Sequence, residues 1–244
     1  MASIKKLVRQ LLWSLHLDIT QNLRYDRATQ KIIRQILKKD SHCVDVGAHK
    51  GEILQLIYQC APDGQHLAIE PIPHLAEGLR QKFGHTTCRI IQAALSNYQG
   101  STTFNLVRNA EAYSGLRKRE YAVAEPAIES IPVQVYCLDE LWDFSLRPTL
   151  LKLDIEGGEF DALQGASKLI RQFRPYVIFE FGLGSAEFYD SKPADMFDFF
   201  TENRMGLAVL DQWYPDSPSL EKSDFIRHFQ EKTAYYFIAF PQSS

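Results

Sequence analysis

Short apolar segments alternate with amphipathic ones from Cys43 to the end of the chain. The apolar segments have the length of strands, whereas the amphipathic ones carry apolar residues at helical spacing. This alternation is typical of an α/β fold in which helices cover both faces of a mostly parallel sheet. Seven main strands are predicted, with RIIQAAL as the third, and the closing pair GLAVLDQW and AYYFIAF inserts one antiparallel strand. One helix is predicted to hold Phe160, Leu163, Ile170 and Phe173. The predicted fold is a doubly wound sheet, which binds ligands at the carboxyl ends of its strands.

Two further segments, STTFNLVRN and IPVQVYCLDEL, alternate between apolar and polar residues as strands do. The polar loop between them, from Glu111 to Glu129, is a candidate insertion. Its part EAYSGLRKRE carries Tyr113, Arg117, Lys118 and Arg119. These side chains could cover an acceptor and contact an anionic or sugar group, but a solvated basic turn is the favoured interpretation.

The chain is predicted to contain a helical N-terminal extension, residues 1–40, followed by one domain, residues 41–244. Within the extension, residues 4–15 carry apolar side chains at helical spacing together with lysine and arginine. We expect this segment to pack on the flank of the domain or at a contact between copies of the chain, with peripheral binding to a membrane surface as the alternative. A second helix is predicted from about Arg27 to Lys39, capped by Asp26.

Net charge and cysteine usage limit the classes of partner and compartment. A formal charge of -3 at pH 7 gives no general attraction to phosphate backbones, so nucleic acid is a poor candidate partner. The four cysteines lie far apart, without the paired spacing of zinc or redox sites. No uncharged apolar run has the length of a membrane span, and the N-terminus lacks a cleavage site. We expect a cytoplasmic protein, with residues 4–15 as the one segment suited to the inner membrane face.

The segment CVDVGAHKGE combines a strand, a glycine turn and the start of a helix. It is not a phosphate loop of the NTPase kind, because Glu52 follows Gly51 where Lys would be required. It also lacks the central glycine that lets a pyrophosphate approach in dinucleotide folds. Asp45, two residues ahead of Gly47, would repel a pyrophosphate but suits a ligand with an amino group. S-adenosylmethionine has such a group, a sulfonium and no phosphate, whereas an NAD(P)-dependent oxidoreductase is the disfavoured alternative.

Two later segments support the same cofactor. Glu70 ends the next strand, in HLAIEP, where an acid can accept both ribose hydroxyls. The segment QAALSN would present small side chains and backbone amides to an adenine ring. The predicted cofactor-binding residues are Asp45, Gly47, Ala48, His49, Gly51, Glu70, Pro71, Ala93, Ala94 and Asp154.

The segment LLKLDIEGGEFDALQGA places Lys152, Asp154, Glu156 and Glu159 around a glycine pair at the exit of a buried strand. Ionisable groups at such a position are costly unless they are paired or used, so a functional role is favoured over capping of the next helix. Glu180, in VIFEFG on the neighbouring strand, could complete an acidic pocket. Such a pocket could bind Mg²⁺ or Ca²⁺. An arrangement without metal, in which sugar hydroxyls take the hydrogen bonds, is preferred.

The chain then resembles a known family. VDVGAHKGE, AIEP, AALSN, VYCLDEL and LLKLDIEGGEFDALQGA, in this order and spacing, are similar to the FkbM-type S-adenosylmethionine-dependent methyltransferases. The resemblance runs from about Cys43 to Phe181, and its most specific part is the K-x-D-x-E-G-x-E block. It implies a class I methyltransferase (Rossmann-like) fold and, for most members, methylation of a hydroxyl on a sugar, glycolipid or natural product. The family commonly has Asn where this chain has His49, which is interpreted as a hydrogen-bonding loop residue in preference to a base.

Methylation of an alcohol requires alignment of donor and acceptor and benefits from a group that removes the hydroxyl proton. Asp154 is the first candidate for this base or for orienting the acceptor, and Glu156 is the second. Lys152 could lower the pKa of a neighbour or hold an anionic acceptor, and Glu180 completes the predicted catalytic set. A membrane-associated scaffold that has kept the fold without turnover is the non-enzymatic alternative.

Overall fold

A computed structural model of the protein describes residues 21–119, 121, 123, 125–182 and 184–242. The amphipathic segment 4–15 lies outside the described residues, so its predicted packing or membrane contact stays a prediction. Within the described part of the chain, no helix combines the length and the apolar character that a bilayer crossing requires.

The strands are β1 (His42–Val46), β2 (His66–Ile69), β3 (Cys88–Ile91), β4 (Ala94–Leu95), β5 (Gly100–Val107), β6 (Ile128–Tyr136), β7 (Pro148–Leu153), β8 (Tyr176–Glu180), β9 (Met205–Val209) and β10 (Tyr236–Pro241). Seven of them form one sheet in the order β3-β2-β1-β7-β8-β10-β9. Neighbours from β3 to β8 run parallel, whereas β10 is antiparallel to both β8 and β9. This confirms the predicted doubly wound, mostly parallel sheet with one antiparallel strand inserted at its end.

The helices are α1 (21–36), α2 (Glu52–Cys60), α3 (Pro73–Phe83), α4 (Leu138–Leu141), α5 (Glu159–Gln164), α6 (Ser167–Phe173), α7 (Pro193–Glu202) and α8 (Lys222–Glu231). They cover both faces of the large sheet, which explains why its central strands are apolar throughout. Val44, Leu151 and Ile178 are fully buried.

Helix α1 differs from its prediction at both ends. It already includes residue 21 and ends at residue 36, so Asp26 lies inside the helix and the predicted cap is wrong. The turn before Asp26 is helical because it is packed: Tyr25 is buried and joins Ile32 and Ile33 in the main core. Helix α1 therefore shares the core of the sheet, while the boundary predicted at residue 40 stays a prediction.

The predicted third strand, RIIQAAL, is divided between two sheets. Cys88–Ile91 pairs with β2 in the large sheet, whereas Ala94–Leu95 joins a separate three-stranded sheet in the order β4-β6-β5. The prediction of one continuous strand is therefore wrong. Ala94 packs in a second apolar cluster with Phe104 and Val135, so the chain leaves the large sheet to cover that cluster. The two strands predicted around the insertion are confirmed as β5 and β6.

The single helix predicted through Phe160 and Phe173 is two short helices, α5 and α6. They separate at Gly165, where a Cβ atom would lie 2.1 Å from the carbonyl oxygen of Ser96. The backbone of the β4 segment thus packs against the helical backbone at this point. That contact between distant segments explains a break that the apolar spacing does not indicate.

Candidate active site

A cavity of about 860 Å³ opens at the carboxyl ends of the parallel strands. This volume lies within the range of small-molecule and cofactor sites. It is also the edge at which doubly wound sheets bind ligands. Most of the predicted site residues line it: Gly47, Ala48, His49, Glu70, Pro71, Ala93, Ala94, Lys152, Asp154, Glu156 and Glu180. Asp45 and Gly51 are not among the lining residues.

The glycine turn after β1 is shaped by contact with the chain after β7. Gly47 has φ of 74°, and a Cβ atom there would lie 2.0 Å from the carbonyl oxygen of Asp154. Gly51, with φ of 75°, faces the other way, since its Cβ would lie 2.6 Å from the Leu79 side chain on α3. Gly47 thus allows the glycine turn to lie close to the backbone after β7. Gly51 allows the start of α2 to pack against α3.

Glu70 joins the glycine turn to the start of α3 through its two carboxylate oxygens. Its Oε2 accepts the backbone N–H of His49 at 2.8 Å, and its Oε1 accepts that of Ile72 at 2.9 Å. Burial raises the pKa of Glu70, and the two hydrogen bonds act in the opposite direction. Each oxygen of a carboxylate can accept more than one hydrogen bond, so Glu70 keeps acceptor capacity on its cavity side.

His49 lies in the same turn with φ of 49°, a left-handed conformation uncommon outside glycine. Its side chain lines the cavity. Burial lowers the pKa of His49, and the positive charge of Lys50 acts in the same direction. The imidazole is therefore mostly neutral at pH 7, and its part in chemistry stays a prediction.

Asp45 lies beneath the cavity, fully buried. Its Oδ1 is 3.7 Å from Lys152 Nζ, and neither oxygen has a hydrogen-bond partner among the described residues. Burial raises the pKa of Asp45, and the Lys152 ammonium opposes that rise. The structure thus places the Asp45 charge against a lysine of the chain itself. The predicted contact with a cofactor amino group stays a prediction.

Lys152 lies between two carboxylates near the carboxyl end of β7. Its Nζ is 3.3 Å from Asp154 Oδ2 as well as 3.7 Å from Asp45 Oδ1. Burial disfavours the ammonium, but Asp154 and Asp45 outweigh it and raise the pKa of Lys152. The lysine is therefore a fixed positive charge that links Asp45 on β1 to Asp154 after β7.

Asp154 receives a second donor from the far end of the sequence. The hydroxyl of Tyr236 donates a hydrogen bond to Asp154 Oδ2 at 2.9 Å. Burial opposes ionisation of Asp154, yet Lys152 and Tyr236 outweigh it and hold the pKa below its ordinary value. Asp154 is therefore an ionised carboxylate with one oxygen held by two donors.

Glu156 and Glu180 complete an acidic cluster with Asp154. One carboxylate oxygen of each lies within 4.8 Å of the others. Burial raises the pKa of Glu156 to about 8, against the lowering effect of Arg119. Burial and the neighbouring Glu156 raise the pKa of Glu180 well above its ordinary value. Three acids this close cannot all ionise near neutral pH, so the cluster both holds a proton and can accept one.

The basic turn of the insertion folds over this cluster. The guanidinium of Arg119 pairs with Glu156 Oε2 and lies over the Tyr113 ring, 5.3 Å from its centroid. Only 11% of the Arg119 side chain is exposed. A solvated turn is therefore wrong for Arg119, whereas the Arg117 side chain is about half exposed. Together with Lys152, Arg119 places the chain's own positive charge on two sides of the acids.

Three tyrosines, one on α1 and two where β10 begins, form part of the cavity wall. Tyr25 on α1 contacts Tyr235 and Tyr236, with ring centroids 5.0 Å and 5.2 Å away. All three line the cavity. Sequence reasoning missed them, although one signal was available. Because the AYYFIAF strand runs antiparallel, its first residues lie at the same edge as the carboxyl ends of its neighbours.

Comparison with known proteins agrees with this geometry. The family model described as Methyltransferase FkbM domain matches residues 45–206. No curated protein sequence matches the chain. Among solved structures, methyltransferase FkbM from Methylobacillus flagellatus KT has a TM-score of 0.51 and 16% sequence identity over 84% of this chain. The alignment covers 44% of that protein, so this chain spans less than half of its length.

Two further structures show lower similarity. A TehB-like SAM-dependent methyltransferase from Corynebacterium glutamicum ATCC 13032 has a TM-score of 0.44 and 12% identity, covering 88% of each chain. Precorrin-6y C5,15-methyltransferase from Geobacter metallireducens GS-15 has a TM-score of 0.45 and 11% identity, covering 88% of this chain and 87% of its own. The expected class I methyltransferase (Rossmann-like) fold is confirmed by the family match and the Methylobacillus structure.

Proposed function

The chain belongs to the FkbM methyltransferase family, and on that premise we propose that it methylates a hydroxyl oxygen of a sugar, glycolipid or natural-product acceptor. The cofactor is S-adenosylmethionine, on which methyltransferases of this family depend. The observation that carries the proposal is the cluster of Asp154, Glu156 and Glu180, which faces the same cavity as Gly47 and Glu70. A group able to take a hydroxyl proton thus lies beside the predicted cofactor position.

The residues around the glycine turn suit S-adenosylmethionine. Glu70 keeps acceptor capacity for ribose hydroxyls at the end of β2, where such an acid is expected. Ala93 and Ala94 are small and buried, and they line the cavity where an adenine ring would need an apolar wall. Gly47 lets the turn pack against the backbone of Asp154, so the turn and the acidic cluster line one cavity.

When bound, S-adenosylmethionine supplies a methyl group on a sulfonium, and its transfer to oxygen leaves the uncharged thioether S-adenosylhomocysteine. In this step the acceptor oxygen forms a bond to carbon as the carbon–sulfur bond breaks. The acceptor O–H bond must also break, so its proton needs a base. The main contribution of the protein is alignment of the two reactants.

Glu156 is best suited to take that proton. Its pKa of about 8 makes it a stronger base than an ordinary carboxylate, and a fraction is ionised at neutral pH. Asp154 has a lowered pKa and an oxygen already held by Tyr236 and Lys152, which suits it to orient the acceptor hydroxyl. Glu180, kept protonated by burial and Glu156, can donate a hydrogen bond to the acceptor or to Asp154.

The acceptor would lie in the cavity beside the acidic cluster and the rings of Tyr25, Tyr235 and Tyr236, all of which line it. Carboxyl groups and phenol hydroxyls suit the alternating donors and acceptors of a polyol. The acceptor side of the cavity carries the carboxyl groups of Asp154, Glu156 and Glu180, and the formal net charge of the chain is -3, so a nucleic acid is not the proposed acceptor.

The experiment is a transfer assay with S-adenosylmethionine labelled in the methyl group. Glycan, lipid, small-alcohol, nucleic-acid and protein fractions from the host are offered separately, and labelled products are identified by mass spectrometry. We expect label in an ether methyl group of a hydroxyl compound. Label in nucleic acid or protein alone would contradict the proposed acceptor class.

Glu156→Gln and Asp154→Asn test the assigned roles with little change in shape. We expect both variants to lose about a hundredfold or more in turnover, and Glu156→Gln to bind S-adenosylhomocysteine within about threefold of wild type. The control is Glu187→Gln, whose side chain bonds the Gly184 backbone outside the cavity lining. If both site variants transfer methyl groups at the wild-type rate, the assignment is wrong.

Isothermal titration separates the remaining alternatives. S-adenosylhomocysteine should bind and NADH should not, since Gly47 and Gly51 leave the dinucleotide pattern incomplete. Binding of NADH alone would favour the oxidoreductase. Cofactor binding without labelling of any fraction would favour the scaffold that has lost turnover.

We propose a cytoplasmic protein in which residues 4–15 pack on the flank of the domain or at a contact between copies, with peripheral contact to the inner membrane face as the alternative. The support is the basic amphipathic sequence of that segment. Sedimentation with anionic liposomes, with and without residues 1–20, tests the membrane contact.

Light scattering tests the proposed homo-oligomer. Loss of the oligomer on deletion of residues 1–20 would assign the segment to the contact between copies of the chain.

A further inference from the structure

Tyr236 contacts Asp154 from β10, a strand that lies outside the sequence motifs of the candidate site. It is the first residue of β10 and pairs in register with Glu180 on β8. Its separation from Asp154 is 82 positions in sequence. The antiparallel direction of β10 brings this first residue to the cavity edge, whereas the following residues run away into the core.

Two donor groups contact the same carboxylate oxygen of Asp154. Tyr236 OH lies 2.9 Å from Oδ2, and Lys152 Nζ lies 3.3 Å from it. A carboxylate fixed at one oxygen by a neutral and a charged donor is restricted in its rotation about Cβ–Cγ. Removing the phenol oxygen would take the neutral donor from Oδ2 and leave the lysine, which is shared with Asp45.

The phenol acts as a constant donor. Burial raises the pKa of Tyr236 well above its ordinary value, and the negative charge of Asp154 adds to the rise. The hydroxyl therefore keeps its proton at neutral pH. Asp154 in turn stays the acceptor, because hydrogen bonding to the ionised form favours that form.

The ring of Tyr236 is held by aromatic contacts. Tyr25 from α1 lies 5.2 Å from it, centroid to centroid, and Tyr235 lies 5.8 Å from it. Tyr25 is itself anchored, since Gln21 Nε2 donates a hydrogen bond to its hydroxyl at 2.9 Å. Helix α1 thus supports the position of the phenol oxygen.

We infer that Tyr236 is a positioning residue for methyl transfer, which acts by holding the Asp154 carboxylate ionised and in one orientation toward the acceptor. This rests on the proposed function, because it assigns Tyr236 a part in the same step. Tyr236 acts through Asp154 and need not touch the acceptor. The charged or titratable groups that face Asp154 from the surrounding elements are Asp26, Asp45, Lys152, Glu156, Glu159 and Glu180.

The test uses Tyr236→Phe in the full chain, which keeps the ring and removes the donor. Whichever fraction accepts label from wild type serves as acceptor. We expect turnover to fall about tenfold or more, with the KM for the acceptor and the affinity for S-adenosylhomocysteine within about twofold. Tyr176→Phe, on β8 with its ring against Trp213 and outside the cavity lining, is the matched control and should keep the wild-type rate.

A double-mutant cycle shows whether Tyr236 acts through Asp154. We expect the variant with both Asp154→Asn and Tyr236→Phe to be no slower than Asp154→Asn alone. A further tenfold loss in the double variant would overturn the inference. So would an unchanged turnover in Tyr236→Phe.

A readout without acceptor separates this inference from the proposed function. In protein labelled with ¹³C at aspartate carboxyls, with S-adenosylhomocysteine bound, the Asp154 signal is assigned by its loss in Asp154→Asn. We expect it to stay at the ionised position from about pH 5 to about pH 8 in wild type. In Tyr236→Phe it should begin to titrate at the acid end, because the ionised carboxylate has lost one of its hydrogen-bond donors. A signal that does not move overturns the inference even if methylation is found. Absence of methylation with a shifted signal contradicts the proposed function alone.

Discussion

Glu159 accepts hydrogen bonds from the backbone N–H groups on both sides of Glu156. Its Oε1 lies 2.9 Å from the nitrogen of Ile155 and 3.2 Å from that of Gly157. Glu156 itself has φ of 62°, a left-handed conformation that costs a non-glycine residue roughly 1–3 kcal/mol. From the first turn of α5, Glu159 thus holds the strained turn that presents Glu156 to the cavity.

Replacing Glu159 by Ala should destabilise the fold and the turn together. Two buried N–H groups lose their acceptor, at about 1–3 kcal/mol each before relaxation, so we expect a loss of about 2 kcal/mol or more. Urea unfolding measures the change. Glu202→Ala, at the exposed end of α7, is the control and should stay within about 0.5 kcal/mol of wild type. An equally small effect of Glu159→Ala would show that the two hydrogen bonds do not hold the turn.

The free energy of unfolding should fall as pH rises from about 5 to about 8. Burial raises the pKa of Glu156 to about 8 and that of Glu159 to about 7, each from an ordinary 4.5. Between the unfolded and folded pKa values the native state binds more protons, so stability is present at the acid end and is lost as pH rises. Denaturant unfolding at several pH values measures this. Glu156→Gln should make the slope shallower, and an unchanged slope would place the bound proton elsewhere.

Gly47→Ala should abolish cofactor binding or folding. The new Cβ would lie 2.0 Å from the carbonyl oxygen of Asp154, and φ of 74° strains any side chain. We expect a loss of several kcal/mol in unfolding experiments. Gly78→Ala is the matched control: it lies in α3 with no atom within 4 Å of the new Cβ and should stabilise the protein by up to about 1 kcal/mol. Similar effects of both changes would contradict the close contact at Gly47.

Glu70→Gln should weaken cofactor binding more than it weakens the fold. The amide keeps the shape but replaces one acceptor oxygen by a donor, which faces the backbone N–H of His49 or Ile72. We expect the Kd for S-adenosylhomocysteine to rise about tenfold or more in isothermal titration. Glu77→Gln, exposed on α3, should leave the Kd unchanged. Equal affinity of the Glu70 variant and wild type would remove Glu70 from the cofactor site.

Arg119→Ala should move the activity profile toward higher pH. The guanidinium lowers the pKa of Glu156, so its removal raises that pKa further, and the ionised base appears at higher pH. The pH dependence of turnover with the labelled acceptor measures the shift. Arg108→Ala, whose exposed partner is Glu129, should keep the wild-type profile. A shift toward lower pH in Arg119→Ala would show that Arg119 does not act on the base.

Much of the fold could be predicted because strand and helix periodicity are local properties. The alternation after Cys43 predicts the large sheet, and the closing pair of apolar segments predicts the antiparallel insertion. The errors have nonlocal causes. RIIQAAL divides because Ala94 packs with Phe104 and Val135 of the small sheet. Helix α8 was not predicted, and Phe225 and Phe229 acquire their burial from packing against Phe181.

In the candidate site, too, the positions of residues along the strands could be predicted, whereas contacts between distant segments could not. Sequence motifs predict that Glu70, Lys152, Asp154 and Glu156 lie near the carboxyl ends of strands, and these residues do line one cavity. The contacts of Arg119 could not be predicted, since an exposed basic turn and a folded one have the same composition.

By itself, the sequence determined that Glu70, Lys152, Asp154 and Glu156 stand at the cavity edge, because chain direction and side-chain alternation place them there. Only the tertiary structure decided how their charges are matched. Lys152 lies between Asp45 and Asp154, Arg119 covers Glu156, and Tyr236 donates to Asp154. The strength of each interaction depends on distance and burial, which arise when segments far apart in the chain pack together.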